Sequence, residues 1–271
     1  MQFGYGLNSY WGPRAETPQE IAGRCRTLLD RLAAISPIFT NWTYVVRKNP
    51  PPQQRYEGPQ ALAEYYNHRY QAGVLDPLTR DELAILVEAG VARADDDDPT
   101  PISGYRFSAY TRSLNDPLAI SGRVHAGDSV PENFYVNSVN IETRPLCDEN
   151  RAVFNLPLLQ SAVLTIVDAW DVTWAAVYPA ELMALWKKPY ETPRPTFKMA
   201  WITYLSPRFA PMVTPPHAAI VEHTPQGGIV MTATKERFDI ANPGHVGAAR
   251  EIEAALAPVN ALPWPPDAES R

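Results

Sequence analysis

The chain is poor in cysteine, lysine and long apolar runs, and these scarcities exclude several classes of protein. Cys25 and Cys147 are the only cysteines among 271 residues, and no CxxC motif occurs. A cysteine zinc cluster is therefore excluded, and two reduced thiols are expected rather than a disulfide scaffold. No apolar run reaches the roughly 18 residues that span a bilayer. The first residues also lack the basic and apolar regions of a secretory signal, so we expect a cytoplasmic protein without membrane contact.

The charge of the chain is unevenly distributed. Its net charge is −6 and its isoelectric point about 5.4, so its field would repel nucleic acid. Eight acidic and two basic residues lie between positions 76 and 98, which concentrates the whole imbalance in one window. The window ends in an unbroken acidic run, formed by Asp95, Asp96, Asp97 and Asp98. Such a run is usually a solvated loop, and the alternative is an acidic patch that binds a basic partner.

The first third of the chain carries clear local signals. Residues 3–11 alternate in the period of a strand and end at Gly12-Pro13. Thr17 begins a capping box, and the apolar spacing that follows predicts a helix ending before Pro37. Repeated prolines make residues 46–59 a connector. Two short helices are expected next, over residues 60–72 and after a second capping box at Thr79.

The rest of the chain predicts strands followed by helices. Residues 104–143 contain three segments of period two, typical of an antiparallel meander, and Asn155 caps a helix that runs through Trp170. Later elements are a strand at 174–178, a short helix at 181–186, strands at 199–205, 218–223 and 228–233, and a helix after Asn242.

These elements predict an α+β fold, with a mostly antiparallel sheet in two halves, each covered by helices. We expect one compact domain over residues 1–257, with possible sub-halves 1–172 and 173–257. Residues 258–271 are expected to form a loose tail.

Motifs of catalysis and metal binding are absent from the sequence. No G-x-S-x-G segment occurs. Ser121-Gly122 beside His125 is the nearest match to such a nucleophile motif, and it is incomplete. His217 and His223, with Glu222 adjacent, flank a predicted strand that would hold the two imidazoles about 20 Å apart. We therefore expect no catalytic, cofactor or metal site. A hydrolase that uses His125, His217, Glu222 and His223 remains the alternative, and a scaffold protein is a third possibility.

Several aromatic segments point to a family. The sequence reads SYWGPR at residues 9–14 and AWITYLS at residues 200–206, with Trp170-Asp171 between them. The first predicted helix is followed by an isoleucine-x-proline-x-phenylalanine pattern and a tryptophan, at Ile35, Pro37, Phe39 and Trp42. By these segments, taken in their order along the chain, the sequence resembles the immunity protein 52 family of bacterial polymorphic toxin systems. The resemblance extends from residue 3 to about residue 257.

The resemblance implies an inhibitor rather than an enzyme. Members protect the producing cell by binding a toxin delivered between bacteria, often by type VI secretion, and the toxins include nucleases of restriction-endonuclease fold. The implied partner is a cognate toxin protein, without a cofactor. Of the chain's own residues, Asp95, Asp96, Asp97 and Asp98 are the candidates for toxin binding. The toxin's identity, the contact surface and the oligomeric state stay open.

The motif residues themselves are expected to be structural. Large aromatic side chains at strand spacing are ordinarily packed in a core, a Gly-Pro pair makes a turn, and a nearby carboxylate or helix end can hold an arginine. This expectation covers Tyr10, Trp11, Gly12, Pro13, Arg14, Trp201, Thr203 and Tyr204.

Overall fold

One antiparallel sheet organises the described part of the chain. The computed structural model describes residues 4–47, 70–75, 78–90, 103–113, 115–130, 137–186 and 197–262. The strands within these ranges are β1 (Tyr5–Trp11), β2 (Trp42–Arg47), β3 (Tyr70–Val74), β4 (Ser103–Thr111), β5 (Ile120–Asp128), β6 (Asn137–Thr143), β7 (Trp174–Pro179), β8 (Ile202–Leu205), β9 (Ile220–His223) and β10 (Ile229–Thr232). They follow one another in the order β3-β2-β4-β5-β6-β1-β7-β8-β10-β9, and every pair is antiparallel.

Helices complete the fold and confirm the α+β class. The helices of the described residues are α1 (Pro18–Ile35), α2 (Arg80–Ala89), α3 (Leu156–Trp170), α4 (Pro243–Ala255) and α5 (Ala257–Asn260), with 3-10 turns at Pro37–Phe39, Ala180–Leu185 and Ala210–Met212. The predicted helix at 181–186 is thus a 3-10 helix. Within the described ranges, none of the helices has both the length and the apolar character needed to cross a membrane.

Capping boxes fix the start of two helices, as the sequence predicts. The Thr17 hydroxyl accepts a hydrogen bond from the Glu20 amide, and the Glu20 carboxylate accepts one from the Thr17 amide. Thr79 and Glu82 repeat the arrangement at α2. These reciprocal bonds satisfy amide groups that a helix N-terminus otherwise leaves without partners.

Strand β1 joins the two predicted groups of strands into one sheet. Leu7 of β1 lies opposite Ile141 of β6 on one side and Val177 of β7 on the other. The pair β1–β7 also crosses the boundary between residues 1–172 and 173–257. Because both neighbours hydrogen-bond to it along most of its length, β1 is an interior strand of the sheet.

Three helices cover one face of this sheet. Helix α1 packs between α2 and α3, and its apolar side is formed by buried residues such as Ile21, Cys25 and Leu32. Leu7 of β1 and Val139 of β6 belong to the same buried core. Because helices and strands bury their apolar residues here, both the helical and the strand period are readable in the sequence.

The opposite face is covered around β7. The Trp174 ring stacks on Phe197 at 5.1 Å between centroids. The Phe197 amide donates to the side-chain oxygen of Asn260 at 2.7 Å, and the Met199 amide donates to the Glu253 carboxylate at 3.2 Å. Residues 258–260, expected at the start of a loose tail, thus lie in α5 and hold a core segment in place. Residues 263–271 lie outside the described residues.

One predicted helix is wrong at its end, and one strand has no counterpart in the sequence prediction. The helical spacing over residues 60–72 includes Tyr70, but Tyr70–Val74 forms β3 and pairs with β2. Residues 60–69 of that prediction lie outside the described residues. Strand β2 is not predicted by the sequence pattern, and its last two residues extend into the expected connector at 46–59. The β2–β3 pairing is a tertiary contact that overrides local helical spacing.

Candidate functional site

The SYWGPR segment is built into the core at the end of β1. The Trp11 ring stacks on Trp170, the last residue of α3, at 5.1 Å between centroids. The Arg14 guanidinium also lies over the Trp11 ring, 5.4 Å from its centroid. Tyr10 points to the opposite face, because residues alternate along a strand, and it stacks on Trp174 at 5.4 Å. Trp11 is therefore buried in the core, and Tyr10 packs against the core while staying partly exposed.

The Gly-Pro turn after β1 is held by a buried amide. Asn137 is fully buried, and its side-chain nitrogen donates to the carbonyls of Gly12 at 2.8 Å and Asp128 at 2.9 Å. The Arg14 amide donates to the same Asp128 carbonyl at 2.7 Å. These bonds fix the direction in which the chain leaves β1 and carry Arg14 towards the C-terminus of α3.

Four charged side chains meet at that helix end. Glu16, with 4% of its side chain exposed, lies 2.7 Å from Arg24 Nε and 3.1 Å from an Arg14 terminal nitrogen. Both arginines also approach the Asp171 carboxylate, at 3.6 and 3.1 Å. They donate to the last carbonyls of α3, Arg14 to Trp170 and Arg24 to Ala169. Cations at a helix C-terminus are favourable because the final carbonyls carry partial negative charge.

Asp171 belongs both to this cluster and to the lining of a groove. It ends α3 in the left-handed conformation, with φ of 51°, and 72% of its side chain is exposed. Beside it lies a groove of about 520 Å³ between α1, α3, the end of β8 and the β9–β10 hairpin. Its polar lining comes from Arg31, Asp168, Asp171, Tyr204, Ser206, Arg208 and Gln226. The volume lies within the range of ligand clefts.

Tyr204 lies at the bottom of the groove. The residue is 3% exposed and belongs to β8, between Ala175 of β7 and Val230 of β10. Gly228 leaves room for its ring, because a Cβ there would lie 2.8 Å from Tyr204 Cε2. Burial, together with the charges of Asp168 and Asp171, raises the pKa of Tyr204 to about 12. The group is therefore a neutral hydroxyl at physiological pH.

Other residues of the AWITYLS segment are packed inside. Trp201 and Thr203 are fully buried, and the Trp201 indole donates to the Thr234 carbonyl at 2.9 Å. The Trp201 ring also lies 5.5 Å from the Tyr5 ring, between centroids. Within this segment only Tyr204 and Ser206 line the groove.

The residues of the hydrolase alternative are not brought together. The His125 ring donates to the Ser103 carbonyl at 2.9 Å, and burial lowers its pKa. His217, Glu222 and His223 are exposed, and Gln160 donates to the Glu222 carboxylate at 3.0 Å. His125 on β5 and Glu222 on β9 are six strand spacings apart, ~29 Å. Across the described ranges, no three histidine, cysteine, aspartate or glutamate side chains are grouped to hold a metal ion.

The acidic run that the sequence offers for toxin binding lies outside the described residues. This holds for all four of its members, Asp95, Asp96, Asp97 and Asp98. The groove beside Asp171 is formed without them, from residues of other segments. The role of this acidic run in toxin binding therefore stays a prediction.

Sequence reasoning missed Glu16, Arg31 and Asp168 as parts of a site, because each is an ordinary charged residue of a loop or helix. Signals came from segments shared with a family, namely from Arg14, from Tyr204 and from the Trp170-Asp171 pair. The position of this pair explains its signal, since Trp170 stacks on Trp11 and Asp171 contacts an arginine of the SYWGPR segment.

Comparison with known proteins identifies the family. The family model described as Immunity protein 52 matches residues 81–262, about two thirds of the chain. No curated protein sequence matches. Among solved structures, the chain is similar to the T6SS protein PA0821 of Pseudomonas aeruginosa, with 11% identity and a TM-score of 0.47, over 92% of this chain and 73% of that one. The family match includes the AWITYLS segment and the groove's Asp168, Asp171 and Tyr204, and the chain belongs to the immunity protein 52 family.

Proposed function

We propose that this protein binds a cognate antibacterial toxin and neutralises it in the cytoplasm of the cell that produces both. The observation that carries the proposal is the family match over residues 81–262. We propose inhibition by direct protein contact, without catalysis, metal or cofactor. The separation of His125 from Glu222 across the sheet disfavours the hydrolase alternative, because general acid–base partners must lie within hydrogen-bond reach of one substrate.

The toxin that we propose is a secreted nuclease, of the restriction-endonuclease type that the family resemblance implies. Nucleases hold phosphates with positive charge, and the inhibitor carries a net charge of −6. Opposite charges accelerate encounter between the two proteins and disfavour binding of nucleic acid to the inhibitor. We propose delivery of this toxin between bacteria by type VI secretion.

The experiment uses the proposed toxin, which we expect to be encoded beside the gene for this chain. The toxin is expressed from an inducible promoter in a sensitive host, with wild-type chain or with an empty vector, and survival is counted. Purified, catalytically inactive toxin is then titrated with the chain by calorimetry. We expect survival only with the chain and a stoichiometric complex. Survival without any measurable complex would contradict neutralisation by contact, and a metabolic operon around the gene would contradict the function as a whole.

The acidic run supplies a separate proposal, that Asp95, Asp96, Asp97 and Asp98 steer the chain onto a basic toxin surface. Replacing the four aspartates with asparagine should lower the association rate about tenfold at low salt and leave the dissociation rate nearly unchanged. The difference should narrow as added salt shortens the Debye length to ~8 Å. Equal rates for the variant and the wild-type chain at every salt concentration would mean that the run is a solvated loop and does not steer the toxin.

A further inference from the structure

The groove beside Asp171 combines an apolar wall with unused hydrogen-bonding capacity at its base. Val167, Val172 and Pro207 line it together with the polar residues. Tyr204 is 3% exposed, and no described protein atom forms a hydrogen bond with its hydroxyl. A neutral phenol both donates and accepts, and a buried one usually has a partner. A ligand group that enters the groove would supply that partner.

Two carboxylates line the groove together with Tyr204. The carboxylates of Asp168 and Asp171 are the charged groups that perturb Tyr204, and both act to disfavour its ionisation. They stand at the C-terminus of α3, where the final carbonyls add partial negative charge. The base of the groove therefore favours a cation with hydrogen-bond donors.

The arginines around the groove leave these carboxylates accessible. Arg14 and Arg24 contact Asp171 from the side of buried Glu16, while most of the Asp171 side chain stays exposed. Arg31 and Gln226 reach Asp168 only at long distances, 3.4 and 3.5 Å, in contacts open to solvent. Exposed pairs of this kind exchange partners at little cost.

Arg208 lines the groove as well, and its guanidinium lies 5.4 Å from the Phe209 ring centroid. Val167, Val172 and Pro207 form an apolar wall along the same groove as the two carboxylates. A long cationic side chain suits this arrangement, because its methylenes can cover the apolar wall while its charged end reaches the carboxylates.

We propose that the groove receives a lysine or arginine side chain of the toxin, with Asp168, Asp171 and the Tyr204 oxygen accepting its hydrogen bonds. This inference rests on the proposed function and gives it a contact site. A basic side chain that normally holds phosphate in the toxin would thereby be withdrawn from its substrate.

Two conservative variants test the groove against a catalytically inactive form of the proposed toxin. Tyr204→Phe removes one hydroxyl, and Asp168→Asn removes one charge from a side chain that is 42% exposed. Tyr105→Phe on distant β4 is the matched control for the first variant. Asp148→Asn, fully exposed before the opposite end of α3, is the control for the second.

We expect Asp168→Asn to raise the toxin Kd about tenfold or more and Tyr204→Phe about fivefold, while both controls bind like wild type. Melting temperatures of the groove variants should stay within about 2 °C of wild type, which separates lost contact from lost folding. If the wild-type chain binds the toxin and both groove variants bind it with the same Kd, this inference alone is overturned. Tighter binding by Asp168→Asn would also overturn it, because the occupant would then be acidic. Failure of the wild-type chain to bind would refute the proposed function itself.

Discussion

Substitution of Glu16 by glutamine is the sharpest test of how the SYWGPR segment stabilises the fold. The variant keeps the shape of the side chain and removes its charge, leaving Arg14 and Arg24 to share only Asp171. Neither Glu16 oxygen has a partner in hydrogen-bond geometry, although both arginines lie at ion-pair distance. The contact therefore depends on charge more than on directed hydrogen bonds.

The expected loss in the free energy of unfolding follows from the contacts that Arg14 and Arg24 keep. Removing one partner of a buried ion pair typically costs about 3–5 kcal/mol. Here Arg14 and Arg24 are 27% and 30% exposed, and each keeps a carbonyl of α3 and the Asp171 carboxylate. Partial exposure screens the lost attraction, so we expect about 2 kcal/mol, equivalent to about 4–8 °C in melting temperature for a chain of this size.

Urea unfolding and calorimetry measure this difference. Asp30→Asn, which breaks a surface pair with Arg26 on the same helix, is the control and should change stability by less than about 0.5 kcal/mol. A double-mutant cycle of Glu16→Gln with Arg24→Gln should show coupling of about 1 kcal/mol or more. Equal stabilities for Glu16→Gln and Asp30→Asn would refute the reasoning, because the buried charge would then contribute nothing.

The remaining predictions concern capping, packing and thiol reactivity. Thr17→Ala should cost about 1 kcal/mol in urea unfolding because it removes the α1 cap. Trp201→Ala should cost about 3–5 kcal/mol because the ring is fully buried, and a wild-type melting temperature would contradict that burial. Burial raises the pKa of the Cys25 thiol to about 12, so a thiol reagent at pH 8 should label only Cys147 in the native chain and both cysteines in urea. Two labelled thiols per folded chain would show that α1 opens.

Elements encoded by neighbouring residues are predictable from the sequence. Helix α1 begins and ends where Thr17 and Pro37 indicate, since a capping box and a proline act within one turn of the chain. Strand β3 is not predictable in this way. Tyr70 has helical spacing with the residues before it, but its backbone pairs with β2, more than twenty residues earlier.

The candidate site is less predictable than the fold. The groove combines Arg31, Asp168, Tyr204 and Gln226, which come from four separate elements, so no local spacing relates them. Tyr204 is expected to be structural, and it is 3% exposed although it also lines the groove. A sequence reveals which residues are unusual for their position, whereas the surface that they share depends on the sheet order.

The interior position of β1 has a consequence for how the chain acquires its structure during synthesis. Ser9 bonds to Val139, 130 residues later, and Asn8 to Tyr178, 170 residues later. A nascent chain therefore carries β1 with at least one edge open until β7 has left the ribosome. Contacts so distant along the chain make folding slow, and open edges attract other strands. Newly made molecules should thus depend on chaperones until β7 is available. The edges of β1 should become protected only after β7 has been translated.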